Sequence, residues 1–117
     1  SGSGNARVVD IAMRYLGVPY RWGGASPSGF DCSGLASYSY GRLGKYVPHY
    51  TGAIWARFPR VPRGAEQPGD LVFFRADLGH MGIYIGGGRY IHAPRTGDVV
   101  KISALSERSD YRGAVRP

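Results

Sequence analysis

The chain contains a single cysteine, Cys32, within the run Phe30-Asp31-Cys32-Ser33-Gly34-Leu35, and three histidines, His49, His80 and His92. A thiol served by imidazoles can do nucleophilic acyl chemistry: one imidazole takes the thiol proton, the thiolate attacks a carbonyl carbon, and a further polar group fixes the imidazole's tautomer. Cys32 opens a helical pattern through Leu35, Tyr38, Ser39, Arg42 and Leu43. A helix start lowers a thiol pKa, because unpaired N–H groups and the helix dipole stabilise negative charge, and the same groups can receive an oxyanion. Asp31 opposes that ionisation unless its carboxylate turns away to cap the helix or meet a substrate cation, and it is expected to turn away. Ser33 and Gly34 read as small residues that keep the approach to the sulfur open.

His80 opens the alternating stretch His80-Met81-Gly82-Ile83-Tyr84-Ile85-Gly86, and His92 lies in the returning stretch Tyr90-Ile91-His92-Ala93. They are the candidate base and orienter, but an ideal hairpin does not join them. A two-residue turn at Gly87 and Gly88 pairs Ile83 with His92 and puts the two imidazoles on opposite faces. A three-residue loop restores the face but leaves them about 13 Å apart along the strand. A bulge or sharp bend near the glycines is required. His49 reads as a surface or groove residue without catalytic duty.

The elements that must position these groups follow from the pattern of the chain. Residues 5–16 carry Val8, Ile11, Ala12, Tyr15 and Leu16 at helical spacing, with Asn5 as cap and Gly17 as stop. Residues 17–30 are Gly- and Pro-rich and read as a loop bearing Tyr20 and Trp22. A second helix begins at Cys32, and the aromatic stretch 49–58 fits either a short helix or an irregular cover. Five short stretches then show the β-branched and aromatic bias of strands, beginning at Asp70, His80, Arg89, Asp98 and Tyr111. Helices followed by hairpin-connected strands imply an α+β domain: N-terminal helices packed on a five- to six-stranded antiparallel sheet.

At 117 residues the chain is one domain's worth, and its lone cysteine rules out an internal disulfide framework. The Ser-Gly-Ser-Gly of residues 1–4 reads as an artificial leader ahead of a single domain at 5–117, so a signal or anchoring segment of a parent protein would lie elsewhere. The formal charge of +7 points to an anionic environment. No apolar stretch approaches the roughly 20 residues of a membrane span. Trp55 and Phe58 read as cover for the core or a groove wall, since no basic stripe interleaves with them as in a nucleic-acid platform.

Five segments, Gly17-Val-Pro-Tyr-Arg-Trp-Gly-Gly24, Phe30-Asp-Cys-Ser-Gly-Leu35, Gln67-Pro-Gly-Asp-Leu-Val-Phe-Phe74, Gly79-His-Met-Gly-Ile-Tyr-Ile-Gly86 and Ile91-His-Ala-Pro94, in this order, resemble the NlpC/P60 family of papain-like cell-wall cysteine peptidases. The resemblance runs from about residue 8 to the end. It implies Cys32 as nucleophile, His80 as base and His92 as orienter, with Tyr20 beside the cysteine and Asp31 and Ser33 in substrate binding. It implies hydrolysis of the bond between D-γ-glutamate and a diamino acid, usually meso-diaminopimelate, in the stem peptides of bacterial peptidoglycan. Expected with it are no cofactor, no nucleic-acid partner, a monomer, and action in a secreted, periplasmic or cell-wall-associated setting. The chain departs from the family pattern after the nucleophile helix, where His49 and Tyr50 stand in place of an Arg and a small hydroxyl residue. Alternatives stay open: a zinc site made from Cys32, His80 and His92, which lacks any short-spaced ligand pair; a non-hydrolytic wall-binding module; and an amidase or acyltransferase using the same Cys and His pair.

Overall fold

A computed structural model describes residues 5–117; residues 1–4, which the sequence reading took as an artificial leader, lie outside the described residues. The elements run α1 (Ala6–Met13), β1 (Ala25–Ser26), β2 (Gly29–Phe30), α2 (Cys32–Gly41), α3 (Thr51–Arg57), β3 (Arg60–Val61), β4 (Leu71–Phe74), β5 (His80–Gly86), β6 (Arg89–His92), β7 (Lys101–Ala104) and β8 (Tyr111–Val115). The fold is α+β, with a six-stranded sheet in the order β3-β8-β4-β5-β6-β7 and every neighbouring pair antiparallel. Asn5 caps α1, its side chain accepting from the Arg7 N–H. The first helix is shorter than its pattern suggests: after Met13 the chain passes through turns to Gly17, which takes a positive φ of 86°.

One expectation needs correction, and one open alternative is decided. The segment 17–30 is not wholly loop, because β1 and β2 form a small ribbon that pairs Ala25 with Phe30 and brings the Phe30 side chain into the core. The aromatic stretch resolves into α3, followed by the edge strand β3. Short amphipathic pieces of this kind are too small for periodicity to classify, and packing decides them. Trp55 on α3 meets Phe73 edge-on, with ring centroids 5.3 Å apart.

The sheet is apolar on both faces, and alternation along each strand divides them. Leu71, Phe73, Met81, Ile83 and Ile91 pack with Val8, Leu35 and Ala36 of the helices. Val72, Phe74, Tyr90 and Ala114 form a second cluster on the other face. The turn into β4 is held by a wholly buried Asp70, whose Oδ1 and Oδ2 accept from Arg116 Nε and Nη2, both at 2.8 Å. The Gln67 N–H also donates to Oδ2, at 2.8 Å. Removing one partner of such a pair leaves a buried charge uncompensated. Arg116→Ala is expected to cost about 3–5 kcal/mol in urea unfolding. The Asp70→Ala/Arg116→Ala double variant should be less damaging than Arg116→Ala alone; if it is the worse of the two, the ion pair is not what the site stabilises.

Candidate active site

Cys32 is the first residue of α2 and is half-buried. Asp31 is the helix N-cap: its Oδ1 accepts from the Gly34 N–H at 2.7 Å. The same oxygen lies 2.8 Å from His49 Nε2, and Ser33 Oγ is 3.4 Å away. The carboxylate thus turns into the cap, as expected, yet it stays close enough to matter. Burial first, then the Asp31 charge, push the Cys32 thiol above its ordinary value, although the N–H groups of Ser33, Met81 and Cys32 itself pull the other way. The expectation of a lowered thiol is corrected: at rest, desolvation and a neighbouring anion outweigh the helix start.

The loop from Gly17 to Gly24 lies over this helix start. The Asp31 N–H donates to the Gly24 carbonyl at 2.9 Å, and a Cβ on Gly34 would fall 1.8 Å from that same oxygen. Gly34 is buried, so its small size serves backbone packing rather than access to the sulfur, which corrects the sequence reading. Tyr20 is placed near the cysteine, its hydroxyl pushed up by burial and then by the charges of Cys32 and Asp31. Trp22 is 86% exposed.

The histidines meet because the hairpin is bulged. Gly86 pairs with Arg89 across a two-residue Gly87-Gly88 turn, but the register slips between Tyr84 and Gly86, so Ile83 faces Ile91 and Tyr84 faces Tyr90. One extra residue on β5 returns His92 to the face of His80. Gly82 lies between them, where a Cβ would come 3.0 Å from that of His92 and 2.8 Å from the Tyr90 ring. His80 Nε2 lies 2.7 Å from His92 Nδ1, and His92 Nε2 lies 2.9 Å from Ser103 Oγ on β7. Ser103, which the sequence reading did not single out, also hydrogen-bonds Tyr90. In the tautomer where Ser103 accepts from His92 Nε2–H, His92 Nδ1 accepts from His80 Nε2–H. That ordering leaves His80 Nδ1 as a lone-pair nitrogen, free to take a proton.

His80 heads β5 directly after a tight turn in which Arg75 and Leu78 both hold positive φ, at 73° and 59°. Its ring lies against Phe74, on the sheet face opposite α2. Cys32 reaches the same strand end from the helix side, where the Met81 N–H, one residue beyond His80, faces the sulfur. Among the described residues no hydrogen bond joins Cys32 directly to His80. A cleft of about 450 Å³ opens on the histidine side, lined among others by His80, His92, Arg95, Lys101, Ser103 and Arg108.

Both imidazoles are neutral at rest. Burial, helped by Arg108 and Arg75, lowers His80 to about 4, and burial, helped by the His80 and Lys101 charges, lowers His92 to about 3. An unfolded chain binds protons on these groups below about 6.5, where the folded chain does not. Their contribution to stability is therefore complete above pH 6.5 and is lost as pH falls toward 4. For His80 the loss is about 3 kcal/mol. Thermal unfolding of wild type and His80→Gln should diverge in this window, the variant losing less on acidification; parallel curves would show that His80 titrates normally.

The sequence profile of the NlpC/P60 family matches residues 17–114. Over 115 residues the chain is 43% identical to murein DD-endopeptidase MepH of Escherichia coli, and over 110 residues it is 46% identical to gamma-DL-glutamyl hydrolase of Bacillus subtilis. It covers 42% and 26% of their lengths, with 89% of this chain matched in each case. Among solved structures, the NlpC/p60 domain of peptidoglycan hydrolase SagA superposes with a TM-score of 0.88 at 36% identity, covering 100% of this chain and 99% of that one. With a family match across most of its length, a cysteine at a helix start and a bulged hairpin that joins two histidines, the chain belongs to the NlpC/P60 family.

Proposed function

We propose that this domain is a cysteine peptidase of the bacterial cell wall that hydrolyses the bond between D-γ-glutamate and a diamino acid, meso-diaminopimelate in the first instance, in peptidoglycan stem peptides. The observation that carries the reaction type is the hydrogen-bonded row His80–His92–Ser103, which engages His80 Nε2 and leaves Nδ1 as the nitrogen available at the strand end that Cys32 approaches. The bond is supported by the relative named gamma-DL-glutamyl hydrolase.

In this reading His80 Nδ1 takes the thiol proton as Cys32 Sγ attacks the γ-glutamyl carbonyl carbon. The resulting oxyanion is held by backbone N–H groups at the start of α2, those of Cys32 and Ser33 being the nearest to the sulfur. His80 returns the proton to the departing amine, leaving a thioester that water, activated by the same imidazole, cleaves to regenerate the thiol. His92 keeps His80 in the productive tautomer and spreads the imidazolium charge toward Ser103. Tyr20, Asp31 and Ser33, gathered around the start of α2, are assigned to substrate binding, with Asp31 also anchoring His49. No cofactor enters this scheme. The 2.7 Å contact between His80 Nε2 and His92 Nδ1 is a hydrogen bond, so these two nitrogens are engaged with each other rather than with a shared zinc ion.

Mass spectrometry of defined stem peptides tests the bond. Incubation with L-Ala-γ-D-Glu-diaminopimelate is expected to release L-Ala-D-Glu. Cleavage confined to a D,D cross-bridge, the activity in the name of the Escherichia coli relative, would reassign the bond. Tight binding of intact stems without any cleavage would make the domain a wall-binding module.

A further inference from the structure

Of the fifteen Lys and Arg residues, five gather around the edge strand β3: Lys45, Arg57, Arg60, Arg63 and Arg112. All five are exposed, and among the described residues none forms an ion pair with a carboxylate. Each lies instead over an aromatic ring. Arg60 sits 3.7 Å and Arg112 5.3 Å from the Trp55 ring centre, Arg63 4.9 Å from Tyr111, Arg57 5.1 Å from Tyr46, and Lys45 5.8 Å from Phe58. Arg60 is further fixed by donating to the Trp55 carbonyl. Four other cations near this edge or the histidine cleft, Arg116, Arg108, Lys101 and Arg75, each hold an aspartate.

Two clefts of about 280 and 430 Å³ flank β3 and share Arg60 and Val61 as the ridge between them. Lys45, Arg60, Arg63 and Arg112 line this double cleft as a track across the sheet edge, with their stems packed on rings and no carboxylate among the described residues paired to them. Guanidinium groups so held are preorganised for anionic oxygens. The track is remote from the histidines, since three strand intervals separate β3 from β5, about 14 Å in the plane of the sheet.

We propose that this edge binds a flexible phosphodiester polymer of the cell wall, a chain of polyol phosphates without bases, and so tethers the domain beside its substrate. The choice of a wall polymer rests on the proposed activity; the binding of a linear polyanion rests on the charge track itself. A nucleic acid is disfavoured because single-strand binding needs open ring faces for base stacking. Here Arg60 and Arg112 occupy Trp55, and Arg63 occupies Tyr111.

The test is the affinity of poly(glycerol phosphate) for the wild-type domain as salt is varied from about 50 to 300 mM, where counterion release makes the logarithm of affinity fall linearly with the logarithm of salt. The Arg60→Gln/Arg63→Gln/Arg112→Gln variant should bind at least about tenfold more weakly at low salt and lose about 2 from the slope. Its hydrolysis of a short soluble stem peptide should be unchanged. Because Arg60 packs on Trp55, a second variant, Lys45→Gln/Arg63→Gln, tests the track without touching that stack and should lose about 1.4 from the slope. Absence of wild-type binding at low salt overturns the proposal, as does an unchanged slope in both variants. Tighter binding of an oligothymidylate of equal charge would reassign the surface to nucleic acid. Failure of the wild type to cleave any stem peptide strikes the proposed activity, and the polymer titration still reads the track.

Discussion

Replacing Cys32 by alanine is expected to leave no measurable turnover of stem peptides, and His80→Ala to lower kcat by about 10²–10⁴-fold, the range of a positioned general base. The two losses should not add. Without the thiol there is no nucleophile for His80 to activate, so the double variant should match Cys32→Ala. Alkylation separates chemistry from collapse of the site. The resting thiol is pushed up by burial and Asp31, and His80 is lowered to about 4, so the pair rests as neutral thiol and neutral imidazole. Iodoacetamide should therefore react slowly near pH 6 and faster as pH rises through the range of a raised thiol, with no plateau on the acid side. Fast alkylation at pH 5 to 6 would instead reveal a thiolate and imidazolium pair at rest. Neutralising Asp31 removes one of the two causes that hold the thiol up, so Asp31→Asn should speed alkylation even if substrate binding suffers.

Gly34→Ala is expected to be nearly as damaging to activity, by a different route. The added methyl would sit 1.8 Å from the Gly24 carbonyl and 2.8 Å from Asp31 Oδ1, so a backbone segment must move rather than a side-chain tip. The displaced segment carries Tyr20 and the carbonyl that accepts from the Asp31 N–H. A loss of about 1–3 kcal/mol in stability, typical of overpacking, should accompany a fall of at least about 10²-fold in kcat/KM, the scale of a misplacement of about 1 Å at a catalytic constellation. Gly41→Ala on the same helix is the control. It meets nothing within 4 Å and has ordinary helical backbone, so it should be neutral or mildly stabilising. Equal behaviour of the two would show that the Gly24 contact is not what Gly34 provides.

Much of this arrangement was legible in the chain because it is locally encoded. Helical spacing after Cys32 placed the thiol at a helix start, and an alternating run placed His80 at a strand head, since each period reports backbone geometry within a few residues. The need for a bulge in the β5–β6 hairpin was also derivable, because two histidines on one face and a Gly87-Gly88 turn cannot both hold in an unbroken ladder. The sequence did not reveal α3 as a helix, since a seven-residue element takes its conformation from the Trp55 packing beneath it.

What only the tertiary structure decided depends on distant segments meeting. The partner of His92 is Ser103, eleven residues away on the next strand, and no spacing rule selects it. The partner of Asp31 is His49, which the sequence left as a bystander and the fold brings to 2.8 Å from the helix cap. The sign of the Cys32 shift was likewise beyond sequence. Helix position lowers a thiol and burial raises it, and the balance depends on how much protein covers the sulfur, a property of packing alone.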